Sequence, residues 1–374
     1  FSGNEIYQPG AYSKRVYQAN IGFIGTLGNI MYVVGVSELG LPYNAKDYDG
    51  TTTLPLKERV MSFSRLNDVY PALKSGELYE TIKESFTPSL DSELTPPPVI
   101  YAIDPTQKTR SSGTILKTAT TIIDLKSNIF GVSANKIARK LTAGTTTGKK
   151  VQIMYGEDVR TVDDVTNELF TIQYTGAALT AVMTISATQL SVVTAGSVDD
   201  ITVTFSDYPT IQDVVNYIGS IANYSVALIG DGSFLASKLD VVTSQDIKTA
   251  VYTVKAIVEA IISAFNTLGS DLIYAMLHTG STRQIPDNDT NYVFMSGATT
   301  TTATNTDWAN VFTMLESLNA DFIVLCSDDT TIKGYLKAHI DYMNSIVGKN
   351  ERLGGTGGST SAASADMKTS IKTL

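Results

Sequence analysis

The sequence predicts an α/β fold, α+β overall, in several domains: an α/β core made from both flanks of the chain, with a β-rich domain inserted between them and protruding. Its 374 residues exceed what one hydrophobic core usually holds. Strand-like and helix-like stretches alternate up to about residue 115 and again after Asn291. Between them run period-two segments separated by Gly/Thr/Ala turns. The expected division is 1–20 for an N-terminal arm, 21–115 for the first part of the core, 116–290 for the insertion, and 291–374 for the second part of the core.

The first flank opens with Ile21-Gly-Phe-Ile-Gly25, a short buried strand whose glycines suit close backbone approach. Val60–Phe63 is a second strand, after which Ser64 can cap a short helix from Arg65 to Tyr70. Glu77–Phe86 reads as a helix with Leu78, Ile82 and Phe86 on one face. Pro96-Pro-Pro98 leads into the strand Val99–Ile103, which Asp104-Pro105 ends.

In the middle, strands are expected at Thr121–Leu125, Lys149–Tyr155, Leu169–Tyr174, Leu179–Ser186 and Asp200–Phe205. Helices are expected at Thr210–Ile221 and Val254–Leu268, the first carrying Ile211, Val214, Val215 and Ile218, the second Ile257, Val258, Ile261 and Phe265. The second flank begins with a strand at Tyr292–Met295. Thr306 is placed to cap a helix whose Trp308, Val311, Phe312 and Leu315 form one stripe. A buried strand Phe322–Cys326 and a helix from about Asp329 to Val347 follow, and Leu353–Ser359 reads as a flexible glycine-rich loop.

Composition removes several functions. The net charge is −9, and Lys and Arg are scattered singly or in pairs, so nucleic acid is not an expected partner. No run reaches the roughly 18 apolar residues of a membrane span; the greasiest helix is broken by Lys255 and Glu259. One cysteine, Cys326, excludes an intrachain disulfide. It reads as an inert core thiol, since a reactive one wants an exposed, electropositive setting. Asn223-Tyr-Ser and Asn288-Asp-Thr match the glycosylation pattern, but no signal peptide is visible and chance explains them.

No catalytic constellation emerges. Gly144-Thr-Thr-Thr-Gly-Lys149 has three residues between its glycines where the nucleotide loop has four, and Lys150 stands where a hydroxyl should bind magnesium. It reads as a hairpin turn. Leu353–Ser359 follows no convincing strand, which argues against a dinucleotide loop. A Cys326–His339 dyad can be drawn, yet His339 shares a helical face with Leu336 and Met343, and core packing explains it. His278 ends the run Asp271–Leu277 and looks like a strand-end residue. Two histidines and one cysteine make no zinc set without several carboxylates. Ser327-Asp328-Asp329 could offer carboxylates to a metal, but helix capping is the plainer role. The expectation is no enzyme, with no catalytic, cofactor-binding or metal residues.

The last ninety or so residues carry an ordered pattern: Phe294-Met-Ser-Gly-Ala, Thr306-Asp-Trp308, Phe322–Asp328, Tyr335-Leu-Lys-Ala-His339, Met343-Asn, Glu351-Arg352 and Gly354-Gly355. In the first flank stand Pro9-Gly-Ala-Tyr12, Gly22-Phe-Ile-Gly-Thr26 and Val60-Met-Ser-Phe63, and Ala134-Asn-Lys-Ile137 opens the middle. In this order the words resemble the sheath proteins of contractile phage tails. The chain departs from them at Ser296-Gly-Ala-Thr-Thr, where a Gly-Gly-x-Asp-Gly is usual, and after Leu27, where an Arg-Gly-Pro is missing. The family's C-terminal domain would follow the Gly-Gly stretch. Phe1 is not a methionine, and Thr369–Leu374 stops inside a helical pattern, so both ends read as cut.

The resemblance implies a structural subunit that polymerises around the tail tube, joins its neighbours by terminal arms that add strands to their sheets, and contracts to drive the tube through the host envelope. It implies neighbouring sheath subunits, the inner tube protein, the baseplate and the tail terminator as partners. Assembly would occur in the host cytoplasm and the product would sit in the virion tail. No nucleotide or other cofactor is implied. A piece without its arms would stay monomeric at micromolar concentration. The alternatives are a β-rich adhesin or receptor-binding module, suggested by the Thr-rich strands of 171–204, and a hydrolase using Cys326, His339 or Ser327-Asp328.

Overall fold

The structure is a computed structural model and describes residues 30–87 and 96–356. The expected arm at 1–20, the Ile21–Gly25 strand and the pattern at 369–374 lie outside the described residues. The fold is mixed α+β with several sheets and several domains. Its described residues divide into two compact units, 30–37 with 60–87, 96–105 and 304–356, and 38–59 with 106–303. This division falls elsewhere than 115/116 and 290/291 for a reason of pairing. Arg110–Lys117 is hydrogen-bonded to Thr120–Phe130, and Val293–Phe294 to Ile137–Ala143, so both belong with the second unit.

The first unit is built on a five-stranded sheet in the order Met61–Phe63, Ile100–Ile103, Met31–Val34, Phe322–Leu325, Leu353–Thr356. Every neighbouring pair is parallel except Met61–Phe63 on Ile100–Ile103. Parallel neighbours need helical crossovers, which cover both faces and leave the central strands apolar throughout. Val33, Ile100, Ala102, Val324 and Cys326 turn to one face, against Val69, Leu73, Leu78 and Ile82 of the helices Val69–Leu73 and Glu77–Phe86. By the two-residue alternation, Tyr32, Ile323 and Leu325 turn to the other face. The helices Asn305–Glu316 and Thr330–Met343 bury Trp308, Val311, Phe312, Leu315, Ile332, Leu336 and Met343.

The second unit holds two separate hydrophobic clusters. One surrounds the helix Ile257–Leu268, whose Ile257, Val258, Ile261 and Phe265 pack with Leu125, Leu141, Val151 and Ile273 from two sheets. The other lies wholly within 169–256. There a three-stranded sheet (Tyr224–Leu228, Glu168–Tyr174, Tyr252–Lys255) and a four-stranded sheet (Ile201–Thr204, Gln189–Thr194, Ala181–Ile185, Val242–Asp246) share a core with the helix Ile211–Gly219.

Several expectations are corrected. The chain after Ser64 makes a 3₁₀ turn, Leu66–Asp68, before Val69–Leu73, and no side chain caps either start. Thr304, not Thr306, caps Asn305–Glu316: its side chain accepts from the Asp307 amide while Asp307 reaches back, a capping box at the required three-residue spacing. Val254 belongs to the strand Tyr252–Lys255, and the helix starts at Ile257. The expected loop at Leu353 is instead an edge strand to Thr356. Its glycines are closely packed: a Cβ on Gly354 would stand 3.0 Å from Ile340 and one on Gly355 3.0 Å from the Phe322 ring.

Candidate functional site

Cys326 and His339 are both buried, and the fold keeps them apart. Cys326 follows Val324 on the sheet face covered by Glu77–Phe86, where its Sγ lies 3.2 Å from Thr81 Oγ1. Burial pushes the thiol up to about 11, away from the range of a working nucleophile. His339 instead sits on Thr330–Met343 against the Phe312 ring, 5.6 Å between centroids. The two groups form no dyad.

The Gly144–Lys149 segment is a hairpin turn between Ile137–Ala143 and Lys149–Tyr155. Its amides are already taken: Thr145 N donates to Asp163 Oδ1 at 3.0 Å, and Thr146 N and Thr147 N to Asp164 Oδ1 at 2.7 and 3.0 Å. Where a phosphate loop needs open N–H groups, this turn presents two carboxylates held below the usual carboxylate range, Asp163 chiefly by the Thr145 hydroxyl and then Lys150, Asp164 by the Thr146 and Thr147 amides. An anion would be repelled.

His278 follows the strand Ile273–Leu277, and its Nδ1 lies 2.8 Å from Asp124 Oδ2. Asp329 caps Thr330–Met343, accepting from Thr331 N at 2.7 Å and Ile332 N at 3.2 Å, while Ser327 Oγ accepts from Asp329 N. Among the described residues no group of three or more His, Cys, Asp or Glu could hold a metal. No described helix is long and apolar enough to cross a membrane.

What the fold does assemble is a buried anchor beside a strand. Leu353–Thr356 is the last strand of the first unit's sheet among the described residues, joined to Phe322–Leu325. The residue before it, Arg352, is 2% exposed. Its Nη1 donates to Leu315 O and lies beside His339 Nε2, both at 2.9 Å, and its Nη2 donates to Leu318 O at 2.8 Å. The Leu315 carbonyl belongs to the last turn of Asn305–Glu316, where outward carbonyls carry partial negative charge, and Leu318 lies just beyond that helix. Burial and the neighbouring guanidinium lower His339 to about 4. The sequence shows Arg352 and His339 only as motif words; His339 stands on an apolar helical face, while Arg352 ends the polar run Lys349-Asn-Glu-Arg352 and nothing there marks it as buried.

The geometry defines a mixed α+β protein that brings none of the candidate catalytic groups together among its described residues. The chain is 26% identical over 362 residues, 92% of its length, to the tail sheath protein of Bacillus phage SP01. It spans 57% of that protein. The resemblance to phage tail sheath proteins read from the motifs is borne out along nearly the whole chain. Sheath tail proteins from Listeria innocua and Desulfitobacterium hafniense have solved structures, each 11% identical with a TM-score of 0.39. They cover 84% and 92% of this chain, which covers 44% and 52% of them, and a likeness of that degree supports no conclusion. No protein-family model matches.

Proposed function

We propose that this chain is a structural part of a contractile tail sheath. Subunits polymerise around the inner tail tube, and the extended lattice stores free energy that a baseplate signal releases as contraction, driving the tube through the host envelope. The partners are neighbouring sheath subunits, the tube protein, the baseplate and the tail terminator. The site of action is the virion tail, after assembly in the host cytoplasm. The role is mechanical and needs no cofactor, because the stored energy belongs to the lattice. The observation that carries this reading is the similarity over 92% of the chain to a phage tail sheath protein. Electron microscopy of the natural-length protein is the test. Tubes with a regular helical lattice are expected, and a protein that stays dispersed with and without purified tail tubes would contradict the reading.

A further inference from the structure

The second unit keeps its two hydrophobic clusters separate, and the chain passes between them at two neighbouring points. Asn167 leads into the cluster of 169–256 and Ala256 leads out of it, and Ala256 N donates to Asn167 O at 2.9 Å. Two chain crossings joined at one place make a pivot, because a few residues at element ends can absorb a change of angle. We propose that the stretch between Asn167 and Ala256 is a hinged lobe, whose angle is set by a latch of Arg283, Glu259 and Lys238.

The bonds that tie this lobe to its surroundings gather on residues 237–241. Two of them lie at the pivot itself, where the Asp240 carboxylate accepts from Ile257 N and Val258 N. Beside them, Val241 N donates to Arg283 O at 2.8 Å. The others are the latch. Glu259, in the first turn of Ile257–Leu268, takes one cation on each oxygen: Oε1 lies 2.8 Å from Arg283 Nε, and Oε2 lies 3.2 Å from Lys238 Nζ. Arg283 Nη1 also donates to Ser237 O at 3.1 Å. Arg283 thus belongs to neither the lobe nor the helix and grips both. The Glu259 and Arg283 side chains are only 16% and 18% exposed, so salt screens their pairing weakly.

Between lobe and helix runs a cleft of about 740 Å³. Val165 and Thr166 line it next to the pivot, Phe234 from the lobe, and Ala260, Ala264 and Leu268 from the helix. Phe234 packs on the lobe's own cluster, and the three helix residues pack on the other. Lys238 and Glu259 line the same cleft, and their ion pair joins its two walls. Where apolar side chains interlock across a boundary, turning one side unpacks both. Here each wall keeps its own core, and charged side chains span the gap. With the latch broken, the lobe can turn about Asn167 and Ala256 while both clusters and the Asp240 cap stay intact.

Pulsed electron–electron double resonance on the full chain reads the angle as a distance distribution. Spin labels go on Thr202→Cys in the lobe and Glu157→Cys outside it, both exposed, with Cys326→Ser removing the native thiol. With the latch intact, one narrow population is expected. Glu259→Gln keeps the shape of the side chain and drops its charge. It should widen the distribution roughly twofold or add a second population, and Arg283→Met should do the same. A label pair inside the lobe, Thr202→Cys with Asn216→Cys, should stay narrow throughout. Should Arg283→Met fail to fold, Glu259→Gln alone decides. An unchanged distribution in Glu259→Gln overturns the latch. Widening of the inner pair together with the outer one also overturns it, because the lobe would then be loosening and not turning. So does a distribution that is already broad with the latch intact.

Discussion

Gly35 and Cys326 show how little slack the first unit's sheet leaves between strand and helix. A Cβ built on Gly35 would stand 2.6 Å from Cys326 Cβ and 3.4 Å from the Leu78 backbone. Neither contact is the far end of a flexible side chain, so the strand or the helix must move. Gly35→Ala should therefore destabilise the chain by about 2 kcal/mol, read as a lowered urea midpoint with an unchanged slope. An unchanged midpoint would mean that the packing against Glu77–Phe86 is looser than this. The same crowding shields the thiol. With Cys326 pushed up to about 11 by burial, little thiolate exists near pH 8 and a reagent has no path to it. Native-state labelling should run roughly 100-fold slower than in denaturant. Labelling at the denatured rate would put the sulfur in an open site and revive the nucleophile reading.

At the scale of elements, the helix Ile257–Leu268 depends on a residue far away in sequence. Its N-cap, Ala256, has no oxygen to offer, and the Asp240 carboxylate takes over, accepting from Ile257 N at 2.6 Å and Val258 N at 3.0 Å. Asp240→Ala leaves two buried amides without an acceptor and should cost about 2–3 kcal/mol. Burial raises Asp240 to about 6, against the opposing pull of those two bonds. The folded form therefore binds a proton that the unfolded chain, titrating near 4, has already lost. Stability from this group is fully present below the unfolded value and falls as pH rises through about 6. The gap in urea midpoint between wild type and Asp240→Asn should thus change in the wild type's disfavour from pH 4.5 to 7. A constant gap would show that Asp240 stays ionised in the folded chain. Such long-range caps are invisible to periodicity, and this explains what the sequence did and did not reveal. Leu78 and Ile82, or Val214 and Ile218, announce their helices because the signal lies within one turn. Leu353–Thr356 reads as a loop because its reason for being a strand is Phe322–Leu325, some thirty residues away, and glycines are what that packing admits. Met31–Val34, the sheet's central described strand, is a short apolar run like many others until its two parallel neighbours are known. At the candidate site, the positions of Arg352 and His339 are legible as motif words, but their contact is not.

For the whole molecule, the chain path suggests a module that can stand alone. The cluster of 169–256 draws all of its buried members from one continuous stretch. Its two ends meet: Ala256 N donates to Asn167 O at 2.9 Å, Glu168 pairs with Lys255 across the sheet, and Lys255 Nζ lies 2.7 Å from Glu168 Oε1. A segment whose ends are adjacent and whose core is its own adds no loop-closure penalty to the rest of the chain, and inserted domains have this form. Residues 167–256 expressed alone should fold to a dispersed amide spectrum and unfold in one cooperative thermal step. The complementary deletion variant, with Asn167 joined to Ala256 by a short glycine linker, should keep the helix Ile257–Leu268 only in part, because Asp240 and its cap leave with the module. Restoring a cap by Ala256→Asp should recover some of that loss, on the order of 1 kcal/mol. If the isolated stretch instead gives a collapsed spectrum, its core leans on the Ile257–Leu268 cluster, and the two form one cooperative body despite their separate packing.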